Sequence, residues 1–241
     1  MDQVTVRDLV TKDFRIASIF EKHSIDFCCH GNVSLEDACK KNGISTEAIQ
    51  QEVALLSPTT AEEGESFQTW ELDSLADYII LTHHTYVKDA IPRIIGHLEK
   101  VGKKHGEHHP EVMQIQTSFQ IIAEELTRHM AKEELVLFPY IKSMVRHLHD
   151  GTQLERPHFG TIANPIRMME AEHSAAGDTL ESIRSASKGF TLPADACTTY
   201  RVTYEELLQF ETDLHKHIHL ENNILFPKSI ELEKKFITSN K

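Results

Sequence analysis

The chain has 241 residues, 40% of them hydrophobic and few of them Gly or Pro, which is typical of a globular rather than a disordered protein. Its net charge of −12 leaves no basic surface to neutralise phosphates, which argues against nucleic acid as a partner. No apolar run approaches the roughly 18 residues of a membrane span, and the first residues lack a signal peptide's apolar core. We therefore expect a cytoplasmic protein with no membrane partner.

Residues 1–60 are predicted to form a small helical N-terminal domain. Apolar residues recur with a roughly helical period from Val6 to His23. Ser34 and Ser45 are residues of the helix-capping type, and each precedes a short helical pattern. The polar stretch 57–68, which contains Pro and Gly, predicts a linker to the rest of the chain.

Residues 70–238 are predicted to form four long helices. Apolar periodicity places these helices at about 72–101, 110–149, 164–186 and 194–236. The connections between them are modest in length, and no stretch carries a β-hairpin signal. The predicted fold class is therefore all-α, with an antiparallel four-helix bundle following the small helical domain.

One motif, H-x3-E followed by Phe-Pro, occurs in both the second and the fourth of these helices. The two copies begin 88 residues apart, and in each copy the Phe lies nine positions after the His. Positions i and i+4 of a helix share one face, so each copy directs an imidazole and a carboxylate at one point. The copies comprise His129, Glu133, Phe138 and Pro139, and His217, Glu221, Phe226 and Pro227.

The first and third helices each supply a histidine at a matching distance. His84 lies 45 residues before His129, and His173 lies 44 residues before His217. Four imidazoles and two carboxylates suit a pair of first-row transition metals, each bound by two imidazoles and two bridging carboxylate oxygens. A site with room for an oxo or hydroxo bridge or a small ligand favours iron over closed, four-coordinate zinc.

These histidines admit other interpretations. A single His on an apolar helix face is more often a hydrogen-bonded core residue, but two equally spaced copies of one motif argue against this for the set. His83 competes with His84, and only one of them can be a ligand because they point about 100° apart. His215 and His219 are expected to be solvated or to contact the ligands from outside. A ferritin-type site would instead show Glu-x-x-His.

These motifs resemble the RIC (repair of iron centres) proteins, the YtfE/ScdA/DnrN family. The resemblance covers nearly the whole chain and implies a ScdA-type N-terminal domain followed by a hemerythrin-like di-iron bundle. It implies that the six residues are iron ligands, with both glutamates bridging. The matching stretches are Asp26-Phe-Cys28-Cys29-His-Gly31, His129-x3-Glu133-Glu-x3-Phe-Pro, Met169-Glu-Ala-Glu172-His173 and His217-x3-Glu221-Asn-Asn-x-Leu-Phe-Pro227.

The family's role is the repair of iron–sulfur clusters damaged by nitric oxide or oxidants. By resemblance, the chain would donate iron, bind or reduce nitric oxide, or do both, and its partners would be damaged iron–sulfur proteins. One alternative is reversible binding or sensing of O2 or nitric oxide, although hemerythrin proper uses an additional His. Another is a metal-free interaction module. Whether the chain is an enzyme and whether it forms a homodimer stay open.

The vicinal thiols Cys28 and Cys29 carry a separate prediction. Adjacent cysteines support redox or metal-transfer chemistry where they are exposed and have a low pKa, whereas a buried pair only closes a turn. The resemblance favours the functional interpretation. Cys39 and Cys197 are expected to be structural, in a reducing compartment. Glu125 and Glu172 adjoin the metal motifs and are predicted to orient ligands or to line an access route.

Overall fold

The computed structural model of the chain describes residues 4–28, 31–56 and 67–239. This part forms eight helices and contains no strand, which confirms the predicted fold class. The four short helices near the N-terminus are α1 (Val6–Lys12), α2 (Ile16–Lys22), α3 (Leu35–Asn42) and α4 (Thr46–Ala54). Most of the predicted linker, together with Cys29 and His30, lies outside the described residues.

The helical pattern from Val6 to His23 forms two helices rather than one. The break lies between Lys12 and Ile16, where the Asp13 carboxylate accepts hydrogen bonds from the backbone N–H and the guanidinium of Arg15. Asp13 thus bonds its neighbour's backbone locally, which competes with the helical ladder. The serine caps are as expected, since Ser34 and Ser45 each accept a backbone N–H in the first turn of the following helix.

The bundle consists of four long helices, and three of them contain a π turn. α5 (72–105), α6 (111–150) and α8 (198–239) are interrupted by single π turns, whereas α7 (Ala163–Ala186) is α-helical throughout. The π turns are Ile80–His84, Glu133–Leu137 and Glu221–Leu225. A π turn arises where a hydrogen bond slips from i−4 to i−5, and such turns concentrate at functional sites.

The bundle core is divided into two apolar clusters. α6 packs against α5 and α7, and α8 packs against α5. One cluster includes Val87 and Leu214, and the other includes Ile79 and Leu225. The predicted metal residues lie between the clusters along each helix, so they form a polar layer inside an otherwise apolar core.

The N-terminal helices pack against α8. Their apolar residues belong to the core cluster that includes Val87 and Leu214. The ring of Phe27 lies 6.0 Å from the ring of His215 and 6.1 Å from the ring of His219. His219 is 1% exposed, so it is not solvated, and it contacts the N-terminal unit rather than a predicted ligand. Within the described residues, no helix has both the length and the apolarity to cross a membrane.

Candidate metal centre

All six residues predicted as ligands lie together in the polar layer. The side chains are buried, with at most 2% exposure, and they form two overlapping groups that share both glutamates. Within each group the potential ligand atoms lie within 4.8 Å of one another. The groups are His84, Glu133, His217 and Glu221, and His129, Glu133, His173 and Glu221.

Glu133 connects the two groups through its two oxygens. Its Oε2 lies 3.4 Å from Nε2 of His84, and its Oε1 lies 3.3 Å from Nε2 of His129. The carboxylate is fully buried, and neither oxygen has a hydrogen-bond partner among the described residues. A buried carboxylate is costly unless a cation or hydrogen-bond donors compensate its charge.

Glu221 makes the same connection from the opposite side. Its Oε1 lies 3.0 Å from Nε2 of His217, and its Oε2 lies 3.1 Å from Nε2 of His173. Each half of the site therefore contains two imidazoles and one oxygen from each carboxylate. The two imidazoles of a half come from different helical hairpins, α5–α6 and α7–α8.

The imidazole nitrogens of each half converge closely. Nε2 of His129 lies 2.9 Å from Nε2 of His173, and Nε2 of His84 lies 3.2 Å from Nε2 of His217. In the first pair, each Nδ1 faces an oxygen acceptor and donates to it, so each neutral ring directs its Nε2 lone pair at the other. Two lone pairs this close require a proton or a cation between them.

The π turns position the glutamates. Glu133 and Glu221 each begin a π turn, and the N–H that closes the turn five residues later belongs to Phe138 or Phe226. The prolines that follow, Pro139 and Pro227, lack an N–H, so each leaves a carbonyl of the preceding turn without its helical partner.

The phenylalanines of the two Phe-Pro pairs are fully buried and pack on histidines of the site. Phe138 stacks on the ring of His84 at 5.8 Å, and Phe226 stacks on the ring of His173 at 6.0 Å. Each therefore supports the histidine from the other helix of its own hairpin. Each Phe thereby fixes the orientation of one histidine ring.

The negative charge of Glu133 acts on the ring of His129. Burial alone would lower the pKa of His129, but the charge of Glu133 and hydrogen bonds outweigh it and raise that pKa to about 10. Burial and the charge of Glu221 oppose ionisation of Glu133, yet the imidazole of His129 holds the pKa of Glu133 below its usual value. The negative charge that retains a proton on His129 also attracts a metal cation.

Three of the four histidines are oriented by hydrogen bonds from Nδ1. His84 donates to Glu134 at 2.7 Å and His129 donates to Glu172 at 2.8 Å. His173 donates to the side-chain oxygen of Asn222 at 2.8 Å. Such outer hydrogen bonds fix the ring and keep the Nε2 lone pair directed at a metal position.

His217 departs from this pattern. Its Nδ1 is buried and has no hydrogen-bond partner in the part of the chain that the structure describes, and burial lowers the pKa of His217. The ring of His83 stacks on the ring of His217, with 5.7 Å between the ring centres. His83 forms its own hydrogen bond with Asp213, whose carboxylate lies 2.9 Å from Nδ1 of His83. His83 belongs to neither group of potential ligands, so of the two adjacent histidines the structure brings only His84 into the site.

The chemistry of this donor set fits a pair of metal ions. Within residues 4–28, 31–56 and 67–239, three of the four carboxylate oxygens of Glu133 and Glu221 have no hydrogen-bond partner although both glutamates are fully buried. Imidazole nitrogen and carboxylate oxygen are the donors that iron, manganese and zinc accept in helical bundles. Each half offers four such donors around one point.

Comparison with known proteins agrees with this geometry. Residues 75–229 match the hemerythrin HHE cation-binding domain, and residues 2–57 match ScdA_N, a domain of unknown function. The chain is 35% identical over 219 residues to the iron–sulfur cluster repair protein YtfE of Yersinia pestis (strain Pestoides F), covering 91% of this chain and 93% of that protein. It is also 35% identical to the YtfE of Yersinia pseudotuberculosis (serotype IB, strain PB1/+), over 89% of this chain and 91% of that protein.

The chain belongs to the YtfE family of iron–sulfur cluster repair proteins, with a hemerythrin-like domain. The family assignment made from the motifs is thereby confirmed. Two residues of the site escaped the sequence analysis, Glu134 and Asn222. Each directly follows the glutamate of an H-x3-E motif and bonds the histidine from the other helix of its hairpin. Their shared position in the repeat was the available signal.

A cavity of about 390 Å³ adjoins the His129–His173 half of the site. Glu125, Glu172, Lys132 and Met168 line it together with both histidines. Glu172 has two roles here, since it accepts a hydrogen bond from His129 and also forms the cavity wall. Its hydrogen bond to His129, aided by the ammonium of Lys132, lowers the pKa of Glu172 to about 2, so it stays ionised at neutral pH.

Of the predicted thiol pair, the structure describes only Cys28. Its side chain is 1% exposed, and its backbone N–H donates to the Asp26 carboxylate at 2.9 Å. Burial at this level keeps a thiol from solvent partners unless the segment moves. Cys29 lies outside the described residues. Cys39 is buried in the core cluster that the N-terminal helices share with the bundle, and Cys197 is partly buried before the first turn of α8.

Proposed function

We propose that the six residues hold two iron ions and that the chain repairs damaged iron–sulfur clusters. In this proposal each ion is bound by two imidazoles, and Glu133 and Glu221 bridge the ions. The observation that carries it is the pair of fully buried carboxylates whose oxygens divide between two imidazole pairs. The curated relatives named as iron–sulfur cluster repair proteins support iron as the metal and damaged iron–sulfur proteins as the targets.

The chain's own residues define how such a centre would work. Bound iron would supply redox chemistry and an exchangeable position, where an oxo or hydroxo bridge or a small ligand fits. Glu172 fixes the ring of His129 and forms the wall of the cavity, while Met168 supplies an apolar surface there. This half of the site is therefore accessible to a small molecule, whereas the two apolar clusters close the layer along the bundle axis.

A test of repair uses a cluster enzyme inactivated by nitric oxide under anaerobic conditions. Iron-loaded protein should restore its activity, and Glu133→Gln should bind less iron and fail to restore it. Glu124→Gln is the matched control, because Glu124 is exposed on the same helix and is not among the site residues. Full repair by an iron-depleted Glu133→Gln protein would contradict the proposal.

The same reaction separates iron donation from removal of nitric oxide. If the chain donates iron, its iron content falls in proportion to the activity recovered. If it binds or reduces nitric oxide, the iron stays on the chain, and nitrous oxide in the headspace distinguishes reduction from binding. Only reduction of nitric oxide to nitrous oxide would make the chain an enzyme.

Reversible binding of O2 or nitric oxide is the second candidate function. The cavity beside His129 and His173 favours it, because it provides a path for a small ligand to one half of the site. A stable, reversible spectrum with O2, together with no repair of the cluster enzyme, would favour this function over repair.

We also propose that residues 1–60 and 70–238 form the two domains of the chain. In addition, we propose that Cys28 and Cys29 act as thiols in repair. The burial of Cys28 requires the segment around it to move for this role. The Cys28→Ser and Cys29→Ser proteins should keep their iron and lose repair. Unchanged repair by both variants would leave the thiols a structural role only.

A further inference from the structure

A second group of potential ligands lies at the far end of α5. His105 is the last residue of that helix, and the backbone N–H of His109 donates to the carbonyl of His105 at 2.8 Å. This bond continues the i,i+4 geometry, so both imidazoles lie on one side. Asp195 reaches them from the connection between α7 and α8, and potential ligand atoms of all three residues lie within 4.8 Å of one another.

The three side chains are close but incompletely paired. Nε2 of His109 lies 2.9 Å from Asp195 Oδ1, while Nδ1 of His105 lies 4.0 Å from Asp195 Oδ2, beyond hydrogen-bonding distance. His105 is only 7% exposed, and among the described residues its Nε2 has no hydrogen-bond partner. Of its two ring nitrogens, Nδ1 is the one nearer to Asp195, so Nδ1 is the atom that a metal ion between the three side chains would bind.

This group is separate from the paired site between the core clusters. His84 and His105 lie 21 residues apart on α5, which corresponds to about 30 Å along a helix axis. The two groups share no residue. A metal ion at His105 therefore has no part in the reaction proposed for the paired site.

We propose that His105, His109 and Asp195 bind one divalent zinc ion, with solvent as the fourth ligand. Two imidazoles and a carboxylate are donors that zinc accepts, and an i,i+4 pair of histidines presents both rings to one ion. Glu111 supports the geometry, since its Oε1 lies 3.2 Å from Nδ1 of His109 and orients that ring from the side away from Asp195.

The ion would tie two distant parts of the chain together. Asp195 belongs to the segment 187–197, which precedes α8, and the two histidines belong to the end of α5. Tyr200 packs against both imidazole rings, at 5.4 and 5.9 Å between ring centres, and shields the site from one side. The role that follows is structural, because zinc would fix the start of α8 against α5.

The test counts zinc on the full chain after saturation and gel filtration. Wild type should retain one more zinc ion per chain than Asp195→Asn or His109→Gln, whatever the paired site holds. Asp195 has a side chain that is 58% exposed, so its substitution leaves the core intact, and circular dichroism checks the fold of both variants.

His97→Gln is the matched control. His97 also lies on α5 and bonds a carboxylate, Glu206, at 2.7 Å, but it belongs to no group of potential ligands in the described part of the chain. This variant should retain as much zinc as wild type. Equal zinc content in wild type, Asp195→Asn and His109→Gln would overturn the proposal, as would an equal loss in His97→Gln.

Discussion

Glu133 and Glu221 occupy equivalent positions in the two hairpins. Each lies four residues after a histidine, begins a π turn, and precedes a residue that bonds the other histidine of its hairpin. The two carboxylates meet between the hairpins, and each faces one imidazole of either half. The approximate twofold repeat of the sequence is thus also a repeat in space.

Removal of the metal should destabilise the folded chain. A cation bound only by the native state stabilises it by mass action, by about 4 kcal/mol when its free concentration is 1,000 times Kd. We expect chelation to lower the Tm of wild type and to change that of Glu133→Gln much less. Calorimetry of both proteins with and without iron checks this. Equal Tm shifts in the two proteins would mean that Glu133 does not hold the metal.

Asn222→Ala should weaken metal binding, whereas Asn223→Ala should not. Asn222 orients His173, and loss of such an outer hydrogen bond commonly costs about 10–100-fold in metal affinity. Asn223 bonds His219 at 2.7 Å, and His219 belongs to neither group of the paired site. Competition with a chromophoric chelator measures both affinities. Similar affinities for the two variants would remove the proposed role of Asn222.

The stability of the chain should depend on pH through Glu21. Burial and the nearby charge of Glu211, partly offset by Arg184, raise the pKa of Glu21 from its ordinary value of 4.5 to about 7. Between these values the folded state binds more protons than the unfolded state, so the contribution of Glu21 to stability falls as pH rises. His215 also lies nearby, 3.9 Å from the carboxylate.

Glu21→Gln should therefore be more stable than wild type at pH 8, on the order of 1 kcal/mol once solvent screening is allowed for. The difference should shrink toward pH 5, where Glu21 is protonated in the folded state. Urea unfolding of both proteins at the two pH values measures it. A difference that is the same at both values would contradict the raised pKa.

Phe27→Ala should destabilise the chain by about 3–5 kcal/mol, the usual cost of truncating a buried Phe. Phe27 is 1% exposed and contacts the rings of Phe20 and of two histidines on α8, so it joins the N-terminal unit to the bundle. Leu55→Ala is the matched control, because Leu55 belongs to the same unit and is 82% exposed. Urea unfolding that shifts as little for Phe27→Ala as for Leu55→Ala would contradict the packing.

The long helices and the six clustered residues were predictable because they rest on simple periods. Apolar residues recur at the helical spacing over more than 20 positions in α5 to α8, and the offset of 88 residues relates the two motifs. The repeat identifies these histidines hairpin by hairpin and does not predict which of them share a half of the site. The structure pairs them across the hairpins, His84 with His217 and His129 with His173.

The remaining features depend on hydrogen bonding, which side-chain periodicity does not encode. A π turn changes the acceptor of one N–H from i−4 to i−5, and nothing in the order of apolar residues marks that slip. The break after α1 likewise depends on Asp13 bonding the backbone of Arg15. The orientations of His215 and His219 depend on contacts with a separate part of the chain, chiefly Phe27.

Each π turn also sets the direction in which the later side chains of its helix point. A turn closed five residues back holds one residue more than an α-helical turn, and it carries that residue without changing the direction of the side chains that follow. If the same residues closed their turn four residues back, every later side chain of α6 would rotate by about 100° relative to the preceding turns. Phe138 would leave the ring of His84, against which it now stacks. The slip of one hydrogen bond thus keeps the site assembled, and an ordinary helix of the same length would disable the centre while leaving all six of its predicted ligands in the chain.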